Sequence, residues 1–271
     1  MTKNDEIYII NISNVNQKNK KNKRYYVETT LDNYYLDEDT IVNYFITKGK
    51  IYKEDEFKEI LYKAKVSEGF NKALNYLARA KKSTYEIKEY LRKSKWDFDN
   101  NQIEEIINKL KEYGYLNDYD YALSVLNTYG SVKGPKYIEQ KLISKRIHQN
   151  IIKDVISKFI CEDEKALAMA LLIQKNNDFD KQPMIKQKTK IYNRLLSKGF
   201  SVSSSTYAIS KLNFVENYDD ELDILVLKQI NKYSSKFSGY ELKQKVVNNL
   251  LTKGYNKTKI LDSFKKNYEV E

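Results

Sequence analysis

Leu91, Leu142, Leu195 and Leu250 stand 51, 53 and 55 residues apart, and each is followed five positions later by a large apolar side chain: Trp96, Ile147, Phe200 and Tyr255. One position before that side chain stands Lys95, Arg146, Gly199 or Gly254. Self-similarity at such a period marks stacked units, none of which can bury its apolar face alone. The chain is therefore expected to fold as an array, and arrays serve mostly as binding surfaces.

The spacing has a structural meaning. If the lysine, arginine or glycine adopts the left-handed conformation just past a helix end, the leucine is the third residue from that end. The next apolar side chain then packs back on it, as in a Schellman cap. Gly199 and Gly254 suit that role. Lys95 and Arg146 must accept a cost of about 1 kcal/mol, or end their helices differently. Upstream, Ser83-Thr84-Tyr85-Glu86 and Ser238-Gly239-Tyr240-Glu241 read as capping boxes. Gly134-Pro135 and Pro183 put proline at the first helical position, where its missing N–H costs nothing.

These signals delimit the second helix of each of four three-helix repeats. Apolar periodicity predicts first helices over Asn71–Lys82, Asp118–Tyr129, Asp163–Asn176 and Asp219–Tyr233. It predicts third helices over Asn100–Tyr113, Gln149–Ile160, Ser203–Leu212 and Asn256–Tyr268. The repeats occupy residues 70–117, 118–162, 163–214 and 215–271.

Residues 1–69 read differently. Ile7–Ile12 and Arg24–Thr30 are β-branched and aromatic, and a turn at Asp32-Asn33 leads into Tyr34-Tyr35-Leu36. This predicts a three-stranded antiparallel meander over 5–38, followed by helices at Thr40–Thr47 and Lys53–Glu68. Its first loop holds Lys18, Lys20, Lys21 and Lys23, which a solvated hairpin tip explains as well as a ligand does. The expected fold is mainly α: tandem three-helix repeats in an elongated curved array, with a small N-terminal β meander.

Chemistry of the catalytic kinds has little to work with. His148 and Cys161 are the only histidine and cysteine, so neither an intrachain disulfide nor a His/Cys zinc site can be built. There is no glycine-rich phosphate loop, and the acids follow helix starts and solvent faces. The sequence assigns no catalytic, metal or cofactor residue, and the chain reads as a non-enzyme. A start rich in polar residues, and an apolar run no longer than Ala166–Ile173, argue for a cytoplasmic protein with no membrane contact.

Charge says more. With 48 Lys and Arg against 37 Asp and Glu, the net charge is +11, which suits polyanions or acidic protein faces. Only five of the cations are Arg, and an AT-rich coding sequence would also give a chain rich in Lys, Asn, Ile and Tyr. Distribution is therefore better evidence than the total. The segments around the four second helices, 79–95, 133–146, 181–198 and 236–253, carry +5, +4, +6 and +3, while 97–120 carries −5.

The candidate partner- or DNA-binding residues come from these segments: Arg79, Lys81, Lys82, Lys88, Arg92, Lys133, Lys136, Lys145, Arg146, Lys186, Lys188, Arg194, Lys198, Lys243 and Lys253. If corresponding helices lie side by side, these side chains form one basic face. Lysine favours point-charge attraction over bidentate base reading, so any nucleic-acid contact would be sequence-tolerant and salt-sensitive. Solvated helix faces, with terminal cations complementing the helix dipole, account for the same pattern.

Glu112-Tyr113-Gly114-Tyr115-Leu116-Asn117-Asp118-Tyr119-Asp120-Tyr121-Ala122, followed by Lys133-Gly134-Pro135-Lys136-Tyr137-Ile138-Glu139-Gln140-Lys141-Leu142, resembles the core of the RecX family of RecA regulators. Ala73-Leu74, Leu77, Arg79, Ser83, Glu86, Ile87 and Leu91 fit the same pattern, so the likeness covers 70–212. The meander and the fourth repeat look like the family's long Gram-positive form. The departures are Lys95 and Arg146, where the family often has glycine, and Asn117, where aspartate is common. The resemblance implies a monomeric, non-enzymatic protein acting in recombination, DNA repair and the SOS response. It would bind RecA or the RecA–DNA filament and modulate, usually inhibit, its strand exchange, ATP hydrolysis and coprotease activity. Single- or double-stranded DNA is a further possible contact. The competing reading is a sequence-tolerant nucleic-acid-binding repeat protein with no RecA role.

Overall fold

A computed structural model describes residues 6–15, 24–93 and 97–268. Lys18, Lys20, Lys21, Lys23, Lys95 and Trp96 lie outside the described residues, so the first of the four recurring caps and the lysines of the first loop have no structural account. The chain divides into two compact units, Met1–Ser124 with Lys145–Ile147, and Val125–Ser144 with His148–Glu271. No helix among the described residues is long and apolar enough to cross a membrane.

The first unit opens with a four-stranded antiparallel sheet of β1 (Glu6–Val15), β2 (Arg24–Thr29), β3 (Asn33–Asp37) and β4 (Ile51–Lys53), in the order β3-β2-β1-β4. The meander is as the sequence predicts, and β4 is an addition. It pairs through Glu6 with Lys53, Ile7 with Tyr52 and Tyr8 with Ile51. Three residues are too few to show a period of two, which is why β4 is absent from the sequence-based expectation. Alternation along β1 sends Ile7 and Ile9 inward, where they meet Val27, Leu36, Tyr52 and the helical Phe57 and Ile60 in one buried cluster.

Helix α1 (Glu38–Asn43) starts where Asp37 accepts the Thr40 N–H, two residues earlier than predicted. Helix α2 (Glu54–Leu77) joins the two helices expected at Lys53–Glu68 and Asn71–Lys82 into one and ends five residues before Lys82. Gly69 lies in the gap between the two expected helices, and its lack of a side chain serves packing. A Cβ there would stand 2.3 Å from Ile106 Cδ1 and 3.2 Å from the Phe98 ring. The Ile106 side chain packs directly over the glycine, where any larger residue would force it to shift.

From α2 onward the chain is helical: α3 (Thr84–Arg92), α4 (Asn100–Glu112), α5 (Asp118–Tyr129), α6 (Pro135–Ser144), α7 (Gln149–Ser157), α8 (Glu162–Lys175), α9 (Met184–Ser197), α10 (Val202–Lys211), α11 (Asp219–Tyr233), α12 (Gly239–Leu251) and α13 (Lys257–Tyr268). These are tandem three-helix repeats, and three of them close around separate cores. In the first, Ile87 and Leu91 meet Ile103, Ile106, Ile107 and Leu110. In the third, Ala166 and Ala170 meet Ile191, Leu195 and Phe200, and in the fourth Val226 and Ile230 meet Val246, Leu250 and Phe264. Third helices start from polar caps that the sequence leaves unassigned. Asp99 forms a capping box with Gln102, the His148 imidazole accepts the Asn150 N–H at 3.3 Å, and Ser201 accepts the Ser204 N–H. Asn117, where the family pattern favours aspartate, caps α5 by accepting the Tyr119 N–H at 2.8 Å.

Candidate functional site

Helices α9 and α12 end as the spacing implies, and α6 is followed by the expected left-handed residue. Leu91, Leu142, Leu195 and Leu250 are all fully buried. In α9, the Phe200 N–H reaches the Leu195 carbonyl at 3.2 Å and the Gly199 N–H reaches Leu196 at 2.9 Å, with Gly199 at φ 89°. In α12, the Tyr255 N–H reaches the Leu250 carbonyl and the Gly254 N–H that of Leu251, with Gly254 at φ 87°. Both are complete Schellman caps. Arg146 takes the same left-handed conformation, φ 53°, without being glycine.

The helix starts are less uniform. Ser83 and Glu86 form the predicted reciprocal box, and Pro135 is the first residue of α6. Pro183, however, is the N-cap of α9 rather than its first residue. Ser238 makes no side-chain capping bond in α12. Gly239 follows it at φ 53°, so the backbone does not enter the helix in the extended-to-helical step that a capping box needs.

These turns decide how second helices meet. Within the second unit, α6, α9 and α12 pack on helices of their own repeats and not flank to flank as expected. They join end to end. The Gly134 N–H donates to the Lys198 carbonyl at 3.0 Å and the Lys136 N–H to the Gly199 carbonyl at 3.1 Å, so the cap of α9 satisfies orphan donors at the start of α6. The backbones touch because both sides are glycine: a Cβ on Gly134 would stand 2.3 Å from the Gly199 carbonyl. The Gly254 turn lies more loosely beside the Pro183 and Ile185 side chains at the start of α9, where a Cβ would make only ordinary contact.

A third junction lies in the first unit, where Lys145 and Arg146 meet the start of α3. Lys145 donates to Glu86 Oε1 at 2.7 Å, and the Arg146 guanidinium lies 4.7 Å from the centre of the Tyr85 ring. The Thr84 N–H donates to Asp118 Oδ1 at 2.7 Å. Burial resists ionisation of Glu86, but the Lys145 and Ser83 N–H donors and the charges of Lys145 and Lys82 outweigh it and hold the carboxyl below its usual range.

The two junctions of the second unit place lysines near one another. Beside the Gly134–Gly199 contact, burial and then the charge of Lys133 lower the Lys198 amine below the ordinary lysine range. At the start of α9, burial, then Lys253 and Lys190, do the same to Lys186, whose amine lies 4.9 Å from the centre of the Tyr255 ring. Among the described residues, none of these five lysines forms an ion pair.

The sequence-selected cations thus fall into two sets. Lys145 and Arg146 gather with Lys82, Lys133 gathers with Lys198, and Lys186 gathers with Lys253. Lys190 joins the last group; it contributes to the charge of its segment but not to the selected residues. The other set is dispersed. Lys88 pairs with Glu104 and Arg92 with Glu89. Lys188 lies over Phe214 and Arg194 over Phe179. Arg79, Lys81 and Lys136 are exposed, and Lys243 is half-buried on α12. The pairings that neutralise part of each set, Lys145 with Glu86 and Lys88 with Glu104, join residues far apart in sequence and do not follow from a count of charges by segment.

Architecture and site together define a class: a helical-repeat protein fronted by a small sheet, with cations collected where one repeat meets the next. The family model of the first three-helix domain of RecX matches residues 70–110. The regulatory protein RecX of Streptococcus pneumoniae strain Hungary19A-6 is 34% identical over 230 residues, which cover 83% of this chain and 88% of that protein. That of serotype 19F strain G54 is 33% identical over the same shares. A crystal structure of a regulatory protein RecX, 24% identical, superposes with a TM-score of 0.58 over 76% of this chain and all of that one, a likeness of fold. The chain belongs to the RecX family.

Proposed function

We propose that this chain is a non-enzymatic regulator that binds RecA, principally on the RecA–DNA filament, and lowers its ATPase, recombinase and coprotease activities. Membership of a family whose relatives are regulatory proteins along 83% of the chain carries this reading. The cations at the repeat junctions support it physically, because closely spaced lysines without internal counter-ions gain energy from an acidic partner. On this reading the repeats 70–117, 118–162, 163–214 and 215–271 are its modules, and it acts as a cytoplasmic monomer.

The test is RecA-catalysed ATP hydrolysis on single-stranded DNA, with the chain added below RecA stoichiometry. Hydrolysis is expected to fall severalfold. An unchanged rate, in a titration that also shows the chain fully bound to DNA, would leave the competing nucleic-acid-binding reading in its place. The Lys133 and Lys198 pair favours that second reading locally, since phosphodiesters are the simplest counter-ions for two adjacent lysines.

A further inference from the structure

The junction of α9 and α12 combines two features that together specify a partner. The first is apolar. Ile185 is 67% exposed, Val215 65%, and Met184 and Leu251 37% each. The segments that carry them are brought together. The Gly254 turn, three residues past Leu251, lies against Ile185, with 3.4 Å between Ile185 Cγ2 and a Cβ built on the glycine. Gln187 Nε2 donates to the Val215 carbonyl at 2.7 Å, and the Met184 N–H donates to Glu216 Oε1 at 2.6 Å. These bonds hold the segment before α11 beside the first turn of α9.

The second feature is charge. Lys186, Lys190 and Lys253 stand around this turn, close enough that the latter two weaken protonation of the first. Two acids lie near this turn: Glu216, one of whose oxygens is committed to Met184, and Glu221, whose charge acts on the Tyr255 ring beside Lys186. The Lys186 stem is partly buried and its amine is crowded by like charge, so an external anion at this turn would be favoured.

We infer that this junction is a docking surface for an acidic protein face, whose apolar side chains cover Ile185, Met184, Leu251 and Val215 while its carboxylates meet Lys186, Lys190 and Lys253. An apolar centre with a charged rim is the anatomy of a protein–protein interface. A nucleic acid fits it less well. Branched aliphatic side chains offer no face on which bases stack, and phosphates gain nothing from them. The inference rests on the regulator reading for the identity of the partner tested.

Full-length Ile185→Ser and Lys253→Glu variants are titrated into RecA-catalysed ATP hydrolysis on single-stranded DNA, with Lys228→Glu on the exposed side of α11 as a charge-matched control. The first two should need at least tenfold more protein for half-inhibition, and the control no more than twofold. Circular dichroism melts should be unchanged, because Ile185 lies largely in solvent. Affinity for a single-stranded oligonucleotide without RecA should also be unchanged by Ile185→Ser and Lys253→Glu. If the unmodified chain inhibits and both variants match it, the docking surface is wrong and the regulator reading stands. If the unmodified chain has no effect on RecA, both fall. If Ile185→Ser is normal while Lys253→Glu loses tenfold in oligonucleotide affinity, the lysines serve nucleic acid and the protein surface is overturned.

Discussion

Gly199 answers two demands at one residue. Its φ of 89° is one that L side chains rarely adopt, and a Cβ there would stand 2.4 Å from the Tyr137 nitrogen and 2.7 Å from its Cβ. Gly114 has a similar φ, 73°, with nothing within 4 Å of its Cβ position. Gly114→Ala should therefore lose about 1 kcal/mol, the conformational cost alone. Gly199→Ala should lose about 3 kcal/mol, because overpacking adds to that cost. Urea denaturation of the two variants measures the difference, and equal losses would mean that the junction yields without strain. The left-handed turn is legible in the sequence, since the 51–55-residue spacing points to Gly199 as a cap. The contact with Gly134 is not, because nothing local relates two glycines 65 positions apart. Arg146 shows the same division. The sequence allows it either a left-handed cap or another helix ending, and the structure gives φ 53° with Tyr85 beneath the guanidinium. That contact is worth about 0.5–1 kcal/mol and offsets much of the strain.

At the scale of elements, the sequence is most reliable where local chemistry and packing agree. α5 and α11 have the predicted bounds, Asp118–Tyr129 and Asp219–Tyr233, because acids at their starts and the apolar period point the same way. The fusion of two expected helices into α2 shows the opposite case: Gly69, in the gap between the two expected spans, is a packing surface for Ile106 and Phe98. The paired boxes of α3 and α12 turn this into a measurement. Ser83 is buried, its hydroxyl accepts the Glu86 N–H at 3.2 Å, and Glu86 Oε2 accepts the Ser83 N–H at 3.1 Å. Ser238 has no such bond. Ser83→Ala should cost about 1–2 kcal/mol, while Ser238→Ala should stay within about 0.5 kcal/mol of the parent. Thermal melts of the pair decide the point. A loss at Ser238 equal to that at Ser83 would restore the box that the sequence suggests.

For the whole molecule, the net charge of +11 overstates what a partner can feel. Lys88 and Arg92 already face Glu104 and Glu89, and Lys145 faces Glu86. Lys133, Lys198, Lys186 and Lys253 form no ion pair among the described residues, and two of them are held with depressed proton affinity. Long-range steering by such charges accelerates association and is screened by salt over a Debye length of about 10 Å at 0.1 M. The association rate of the chain with a RecA–DNA filament should therefore fall by about an order of magnitude between roughly 50 mM and 300 mM salt, since steering adds factors of about 10 or more. Changing Lys133, Lys198, Lys186 and Lys253 together to Gln should remove most of that salt dependence. Changing Lys88 and Arg92 to Gln should leave it, because their field is already cancelled at short range by Glu104 and Glu89. Stopped-flow association across the salt series compares the two variants. Equal flattening in both would mean that steering follows total charge, and that neutralisation by neighbouring acids does not select the side chains a partner meets.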